Sequence, residues 1–236
     1  MTWPWPICFS LLAALPAAAA AVSGQVELAD SREASVRRGK DYSGVAVWLE
    51  PVGRKLPLPP SRTYTMLQKG KKFIPHVLVI PAGAVVDFPN ADPIFHNAFS
   101  NFSGQQFDTG LYAPGSTQKV QFRREGAVRV FCNIHSNMSA VIVVVNTPYF
   151  ARTGRNGAFR IENVEPGEYT VRVWHERAPE GRLAELERRI AVRSDATLPL
   201  MRISESGYLE VPHKNKHGKD YPENPAEHIL YPGIRK

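Results

Sequence analysis

Apolar residues recur along most of this chain with a period of two, which predicts β-strands rather than helices. After an apolar N-terminal stretch, the alternation runs through Val26 and Leu28 and returns around Val45, Val47 and Leu49. We expect two strands here, joined by a charged loop.

Two later stretches are apolar at nearly every position, which is typical of strands covered on both faces. They are 73–80 (FIPHVLVI) and 139–148 (SAVIVVVNTP). Between them, 84–90 (AVVDFPN) predicts a strand, and 113–132 predicts a strand, a turn at Glu125 and Gly126, and a second strand that ends in "VFC".

A new segment begins near Asn146. Within 153–176 (TGRNGAFRIENVEPGEYTVRVWHE), Asn-Gly and Pro-Gly pairs predict turns on either side of a short strand, and a longer strand follows. The stretch 182–194 (RLAELERRIAVRS) has the composition of a short helix, but its flanks favour a strand pair that ends in "TLPLMRI". With 20 prolines and 17 glycines, these patterns predict an all-β protein.

The two ends of the chain differ from this pattern. Residues 1–21 resemble a secretory signal peptide, because an apolar run leads into small residues around Ala18 to Ala21, although no Lys or Arg precedes the run. We expect the mature protein to be periplasmic or otherwise exported, without a membrane span. The C-terminal extension, 204–236, is polar, and we expect it to wrap the surface or to move freely, with His213, His217 and His228 in solvent.

The net charge of +7 favours acidic partners. We do not expect nucleic acid to bind, because no Lys/Arg block stands beside stacking aromatic residues. A basic surface that only keeps the protein soluble explains the charge equally well.

The chemistry of the chain concentrates in "VFCNIHSNM", residues 130–138. Cys8 belongs to the predicted signal, so Cys132 is the single cysteine of the mature chain. Because Val128, Val130 and Cys132 share strand parity, we expect the thiol to point inward. A tight loop to the next strand would let the Cys132 thiolate, the His135 imidazole and the Met138 thioether converge on one point.

This donor set favours copper over zinc, which has little use for methionine. Two histidines and a cysteine in a trigonal arrangement, with a weak axial methionine, form the blue-copper site. The second histidine is best supplied by His96 in "NADPIFHNAFS", at the junction of a loop with a strand. We expect structural roles for the other two candidates, His76 and His175.

The stretch 73–145 resembles a cupredoxin of the plastocyanin and amicyanin type in its pieces "IPAG", "FPNADPIFHN", "APGSTQKVQF" and "FC..H..M". Residues 24–203 are similar to bacterial periplasmic proteins often called methylamine utilization proteins, through "PHVLV", "CNIH..M" and "TPYFA.T...G.F". The stretch 146–203 looks like a transthyretin-like or carboxypeptidase-regulatory-like sandwich.

The resemblance implies a cupredoxin Greek-key β-sandwich at 64–146. A second, smaller prealbumin-like sandwich would comprise 24–54 and 147–203 and would pack with the cupredoxin, which we expect to be inserted within it. The resemblance also implies which residues bind the metal. The implied copper ligands are His96, Cys132, His135 and Met138, and Asn97 is implied to tie the two ligand loops together by hydrogen bonds.

The implied function is electron transport by one Cu(II)/Cu(I) ion, without catalysis. The partners would be redox proteins, such as a c-type cytochrome or a dehydrogenase, that dock near Ile94, Phe95, Ile134 and His135. Two alternatives remain open, namely a copper carrier or chaperone and a scaffold without a redox role.

Overall fold

The computed structural model describes residues 19–101, 104–209 and 212–221. Residues 1–18 of the predicted signal peptide and His228 lie outside this part of the chain, whereas Ala20 and Ala21, which the prediction includes in the signal, are buried in the first strand. The described residues form strands and two short helices, so the prediction of an all-β protein is confirmed. No helix among them is long and apolar enough to cross a membrane.

The elements follow the predicted order closely. The chain begins with β1 (Ala20–Ala29), α1 (Ala34–Arg37) and β2 (Ala46–Pro51). The middle of the chain forms β3 (Thr63–Thr65), β4 (Leu67–Gln68), β5 (Phe73–Ile74), β6 (Val77–Pro81), β7 (Val85–Pro89), β8 (Phe99–Ser100), β9 (Phe107–Asp108), β10 (Thr117–Gln121), β11 (Gly126–Phe131) and β12 (Ser139–Val145). The last part forms β13 (Phe150–Arg152), β14 (Ala158–Val164), β15 (Gly167–Trp174), α2 (Glu180–Ala184), β16 (Arg188–Val192), β17 (Ala196–Thr197) and β18 (Met201–Ser204).

Strands from both ends of the described chain pair with one another. In one sheet β1 pairs with β14, β17 and β18, and in a second sheet the strand order is β13-β2-β15-β16. The two sheets share one apolar core, to which β1, β2, β14 and β15 contribute most of the fully buried side chains. In sequence, the strands β3 to β12 therefore lie between the strands that form this core, and we call the two sheets that share it the outer sandwich.

The strands β3 to β12 have their own core, the inner core, between the sheets β10-β7-β3 and β6-β12-β11-β8-β9. We call these two sheets the inner sandwich. The outer faces of β6 and β12 form a third apolar cluster with Ala46 of β2 and with the partly buried Trp48 and Trp174. Val77 and Val79 lie in this third cluster, while Ile80 lies in the inner core. The continuous apolar pattern of β6 is thus explained by cover on both faces, as predicted.

The stretch 182–194 is a helix followed by a strand, so the expectation of a strand pair is wrong for its first part. Helix α2 begins after Pro179 and buries Leu183 against the core of the outer sandwich, and β16 then pairs with β15. Proline before the first helical residue is compatible with a helix start, because its missing N–H is not needed there.

An ion-pair network crosses the boundary between the two sandwiches at the end of β15. Glu205 accepts hydrogen bonds from His175 at 2.9 Å and from Arg177 at 3.0 Å. Glu176 lies 2.8 Å from His76, whose other ring nitrogen lies 3.1 Å from the carbonyl oxygen of Ser139. His76 and His175 therefore have structural partners here, and the C-terminal extension starts with a buried charge.

We predict that this network makes stability fall in acid. Burial alone would raise the pKa of Glu205, but hydrogen bonds from His175, Arg177 and Ser31 outweigh it and lower that pKa from 4.5 to about 2. The ionised form is thus favoured in the folded state, so the stabilisation is complete above pH 4.5 and is lost as the pH falls towards 2.

Between pH 6 and pH 3, Glu205 should account for a loss of about 2 kcal/mol in the free energy of unfolding. Urea unfolding of the wild type and of Glu205→Gln at both pH values measures this loss of free energy. The variant should have a smaller free energy of unfolding at pH 6, and this free energy should fall by about 2 kcal/mol less than that of the wild type between pH 6 and pH 3. Equal losses in the two proteins would contradict the assignment.

Candidate metal centre

Cys132 directly follows β11 and points into the inner core. Val128, Val130 and Cys132 are all buried, which confirms the predicted parity. The loop to β12 is tight, since the Cys132 amide donates to the Met138 carbonyl and the Met138 amide donates to the His135 carbonyl, both at 3.1 Å. These bonds turn the chain so that Cys132, His135 and Met138 lie on one loop.

His96 reaches the same point from the loop before β8. Its backbone is fixed against Tyr112 by two hydrogen bonds of 2.9 and 3.3 Å, and its side chain is fully buried. The Cys132 Sγ atom lies 3.8 Å from His96 Nδ1 and 3.5 Å from His135 Nδ1. The donor atoms of these three residues all lie within 4.8 Å of one another, and this is the one such group among the described residues.

These distances fit a single metal ion. Metal–nitrogen bonds of about 2.0 Å and metal–sulfur bonds of about 2.3 Å, separated by angles of about 110 to 120°, place nitrogen and sulfur about 3.5 to 3.7 Å apart. The two observed sulfur–nitrogen distances, 3.5 and 3.8 Å, bracket this range. One thiolate and two imidazoles form a donor set that suits copper.

Met138, the predicted axial ligand, is fully buried in the same core as Cys132. It closes the loop just before β12 begins. The structure thus places all four predicted ligands at one end of the inner sandwich, while His76 and His175 belong to the ion-pair network on the other side of β12.

Asn97 ties the two ligand loops together. Its Oδ1 accepts the backbone N–H of Asn133 at 2.6 Å, and its Nδ2 donates to Asp108 at 3.2 Å. The side chain is 1% exposed, so water does not compete for these bonds. The loop that carries His96 is therefore held to the loop that carries Cys132, independently of any metal.

Asp92 is a residue of the site that the sequence analysis missed. Its Oδ2 accepts from His96 Nε2 at 2.8 Å and from the Lys71 amide at 2.8 Å, and its Oδ1 accepts from the Gly70 amide at 2.6 Å. A proton on Nε2 leaves Nδ1 of His96, which faces Cys132, free to bind a metal. The spacing of Asp92 four residues before His96 is visible in the sequence, but in a loop it carries no geometric meaning.

Both imidazoles are suited to metal binding at neutral pH. Burial lowers the pKa of His135 to about 4, with help from the nearby charges of His96 and Lys71. Burial also lowers the pKa of His96, although Asp92 opposes this. Neutral imidazole is the form that binds metal, so neither ring has to lose a proton first.

The thiol of Cys132 behaves differently. Burial raises its pKa, and the backbone N–H groups of Asn97, Ile134 and His135 only partly oppose the effect. Without metal the sulfur is therefore a neutral thiol at neutral pH. A metal ion has to displace this proton, so binding to the site releases a proton and strengthens as the pH rises.

The C-terminal extension reaches this end of the molecule, and the expectation that His213 is solvated is wrong. The His213 ring stacks on Phe131 with centroids 4.0 Å apart, and its Nε2 lies 2.6 Å from the Ser136 carbonyl oxygen. His217 is exposed, as expected. A polar sequence does not reveal such a contact, because aromatic stacking and bonds to main-chain carbonyls leave no periodic pattern.

No protein-family model matches the chain, and no curated protein matches it either. Among solved structures, the chain is similar to a Cu-containing nitrite reductase from Thermus scotoductus, with 28% identity over 42% of this chain and a TM-score of 0.35. The match spans 25% of the nitrite reductase chain.

Two further structures are cupredoxins. A purple cupredoxin from Nitrosopumilus maritimus is 24% identical over 34% of this chain and 98% of its own, with a TM-score of 0.32. A Cu(I) form of an amicyanin variant is 15% identical over 35% of this chain and 82% of its own, with a TM-score of 0.34.

Proposed function

We propose that the protein is an exported mononuclear copper protein that carries single electrons between redox partners. The observation that carries this proposal is the position of Cys132 Sγ, 3.5 and 3.8 Å from the Nδ1 atoms of two histidines. When bound, copper would supply a one-electron Cu(II)/Cu(I) couple. The N-terminal resemblance to a signal peptide supports a periplasmic location.

The protein's contribution is to hold the ligands still. Asn97 and Asp92 fix the two ligand loops through bonds that do not involve the metal, so the donor atoms keep nearly the same positions in both oxidation states. Because the ligands move little when the metal changes oxidation state, the reorganisation energy that opposes electron transfer is small. His135 is the most exposed of the four proposed ligands, since the other three are fully buried, and electrons would enter and leave through its ring.

The test is to add Cu(II) to the metal-free protein and to record the visible spectrum. An intense thiolate-to-copper charge-transfer band at one copper per chain supports the proposal. A colourless protein that binds Cu(I) tightly favours the alternative of a copper carrier, and a protein that binds neither ion favours a scaffold without a redox role. We propose that this site transfers electrons without catalysis.

We further propose that partners dock on the apolar surface around His135. Ile94, Phe95 and Ile134 are half-buried at this end, and the nearby Leu111 is 59% exposed. The turn between β4 and β5 carries three exposed lysines, Lys69, Lys71 and Lys72, and is bound to His96 through Asp92. An apolar contact surface beside a basic turn fits a partner with an acidic rim.

We predict that Lys71→Glu changes electron-transfer rates according to the charge of the reagent. At low ionic strength, oxidation of the Cu(I) protein by hexacyanoferrate(III), an anion, should become about fivefold slower. Oxidation by tris(phenanthroline)cobalt(III), a cation, should become faster. Stopped-flow absorption measures both rates.

Lys55→Glu is the matched control, because it makes the same charge change in the connector after β2. It should leave both rates nearly unchanged. If Lys71→Glu and Lys55→Glu have equal effects, the basic turn does not steer partners to the site.

A further inference from the structure

The C-terminal segment 212–221 binds the metal-ligand loop at three points. The Tyr221 hydroxyl donates to the Cys132 carbonyl at 2.8 Å, and the Lys216 amide donates to Asn133 Oδ1 at 2.9 Å. His213 Nε2 donates to the Ser136 carbonyl at 2.6 Å. This segment is separated from the loop by more than 70 residues, so these contacts are tertiary and not a consequence of chain connectivity.

The three contacts lie on both sides of His135 in the loop. Cys132 and Asn133 precede it and Ser136 follows it, and the His213 ring also stacks on Phe131, directly before Cys132. Because a carbonyl can only accept, the bond to Ser136 places the proton of the His213 ring on Nε2. The His213 and Tyr221 rings also pack edge to face, with centroids 5.1 Å apart, so the two aromatic side chains support each other.

Lys216 connects the segment to the second ligand loop. Its Nζ donates to Asp108 Oδ2 at 2.7 Å, while Asp108 Oδ1 accepts from Asn97. Asn133 is thereby held from two directions, through its amide by Asn97 and through its side chain by the Lys216 amide. A closed ring of bonds joins the His96 loop, the Cys132 loop and the C-terminal segment.

The ligand loop needs such support because its own bonds are few. Between Cys132 and Met138 it contains no proline, and Ser136 and Asn137 are exposed. Fixing a backbone of this kind costs conformational entropy at each residue. Bonds to the Cys132 and Ser136 carbonyls restrict the loop immediately beside two of the proposed ligands.

We propose that residues 212–221 are a clamp that holds the Cys132–Met138 loop in its metal-binding conformation before metal arrives. His213 and Tyr221 are its main positioning residues, and they act through the loop backbone without touching the metal. The expected effect of the clamp on copper binding rests on the proposed function. Its effect on the conformation of the loop does not require copper.

The first test uses the metal-free, full-length protein. Backbone amide hydrogen exchange is compared in the wild type, in the double variant His213→Ala/Tyr221→Phe, and in a matched control, His217→Ala/Tyr208→Phe. His217 lies within residues 212–221, but its exposed side chain makes none of the three contacts with the loop, and Tyr208 precedes this segment. The amides of Cys132, Asn133 and Met138 should exchange at least about tenfold faster in the double variant, with β12 unchanged, and the control should match the wild type.

The second test measures transfer of Cu(I) from the loaded proteins to a bathocuproine chelator. Loss of residues that position metal ligands typically weakens metal binding about 10- to 100-fold, so the double variant should release copper at least about tenfold faster than the control. If the loop amides exchange faster in the double variant but neither the copper-loaded wild type nor any variant shows a Cu(II)/Cu(I) couple, the clamp is supported and the electron-transfer function is contradicted.

Unchanged loop exchange in the double variant overturns the clamp. If the double variant is so destabilised that β12 exchanges faster as well, the single variant Tyr221→Phe, which removes one oxygen atom, decides by the same criteria. Faster exchange confined to the loop supports the clamp, and any other pattern refutes it.

Discussion

Cys132→Ser is expected to abolish the intense visible band of the Cu(II)-loaded protein and to weaken copper binding by several orders of magnitude. The band requires a thiolate, and a serine hydroxyl is not ionised at neutral pH and is a poor ligand for a soft metal. The backbone N–H groups of Asn97, Ile134 and His135 surround the sulfur, so they can also serve a serine oxygen. The variant should therefore fold, and absorption and copper titration read the effect.

His76→Ala is the control for this experiment. His76 pairs with Glu176 beside the start of β12 and does not belong to the proposed ligand set. It should keep the band, with at most a loss of thermal stability. A band that survives in Cys132→Ser, or that disappears in His76→Ala, contradicts the ligand assignment.

Asp92→Asn is expected to have the second largest effect. Both carboxylate oxygens of Asp92 accept from N–H donors, namely Gly70, Lys71 and His96. An asparagine retains one acceptor and turns an NH₂ group towards at least one of these donors, which leaves buried donors unpaired. The His96 ring would lose its fixed tautomer and orientation.

We expect Asp92→Asn to weaken copper binding about 10- to 100-fold and to shift the reduction potential. It should also lower the free energy of unfolding of the metal-free protein by about 1 to 3 kcal/mol. Asp87→Asn is a suitable control, because Asp87 pairs with the exposed Lys119 on β7 and β10. Copper affinity equal to that of the control would show that Asp92 does not position His96.

The residues of the candidate metal centre could be predicted where a local pattern carries the information. Strand parity placed Cys132 inward, and the spacing of Cys132, His135 and Met138 put them on one loop. The all-β class followed from period-two alternation and turn residues. These features depend on neighbours a few positions away, so one sequence is enough to predict them.

The support of the site could not be predicted, because it depends on contacts between distant segments. Asp92 binds His96 only because the Gly70 and Lys71 amides hold its carboxylate in place. Residues 212–221 were expected either to wrap the surface, as they do, or to move freely, and their polar composition gave no sign of which loop they contact. Helix α2 was not predicted, although the composition of 182–194 suits a helix, because the flanking residues favoured strands and five residues show no periodic pattern; the burial of Leu183 holds the helix in place.

The central claim, that this site carries electrons, is tested most directly by voltammetry of the copper-loaded protein at an electrode. We expect a reversible wave of one electron per copper, with closely spaced oxidation and reduction peaks, that is absent in Cys132→Ser. A protein that binds Cu(I) tightly at Cys132 but shows no reversible oxidation and reduction at any potential at which the protein is stable would contradict an electron-transfer role.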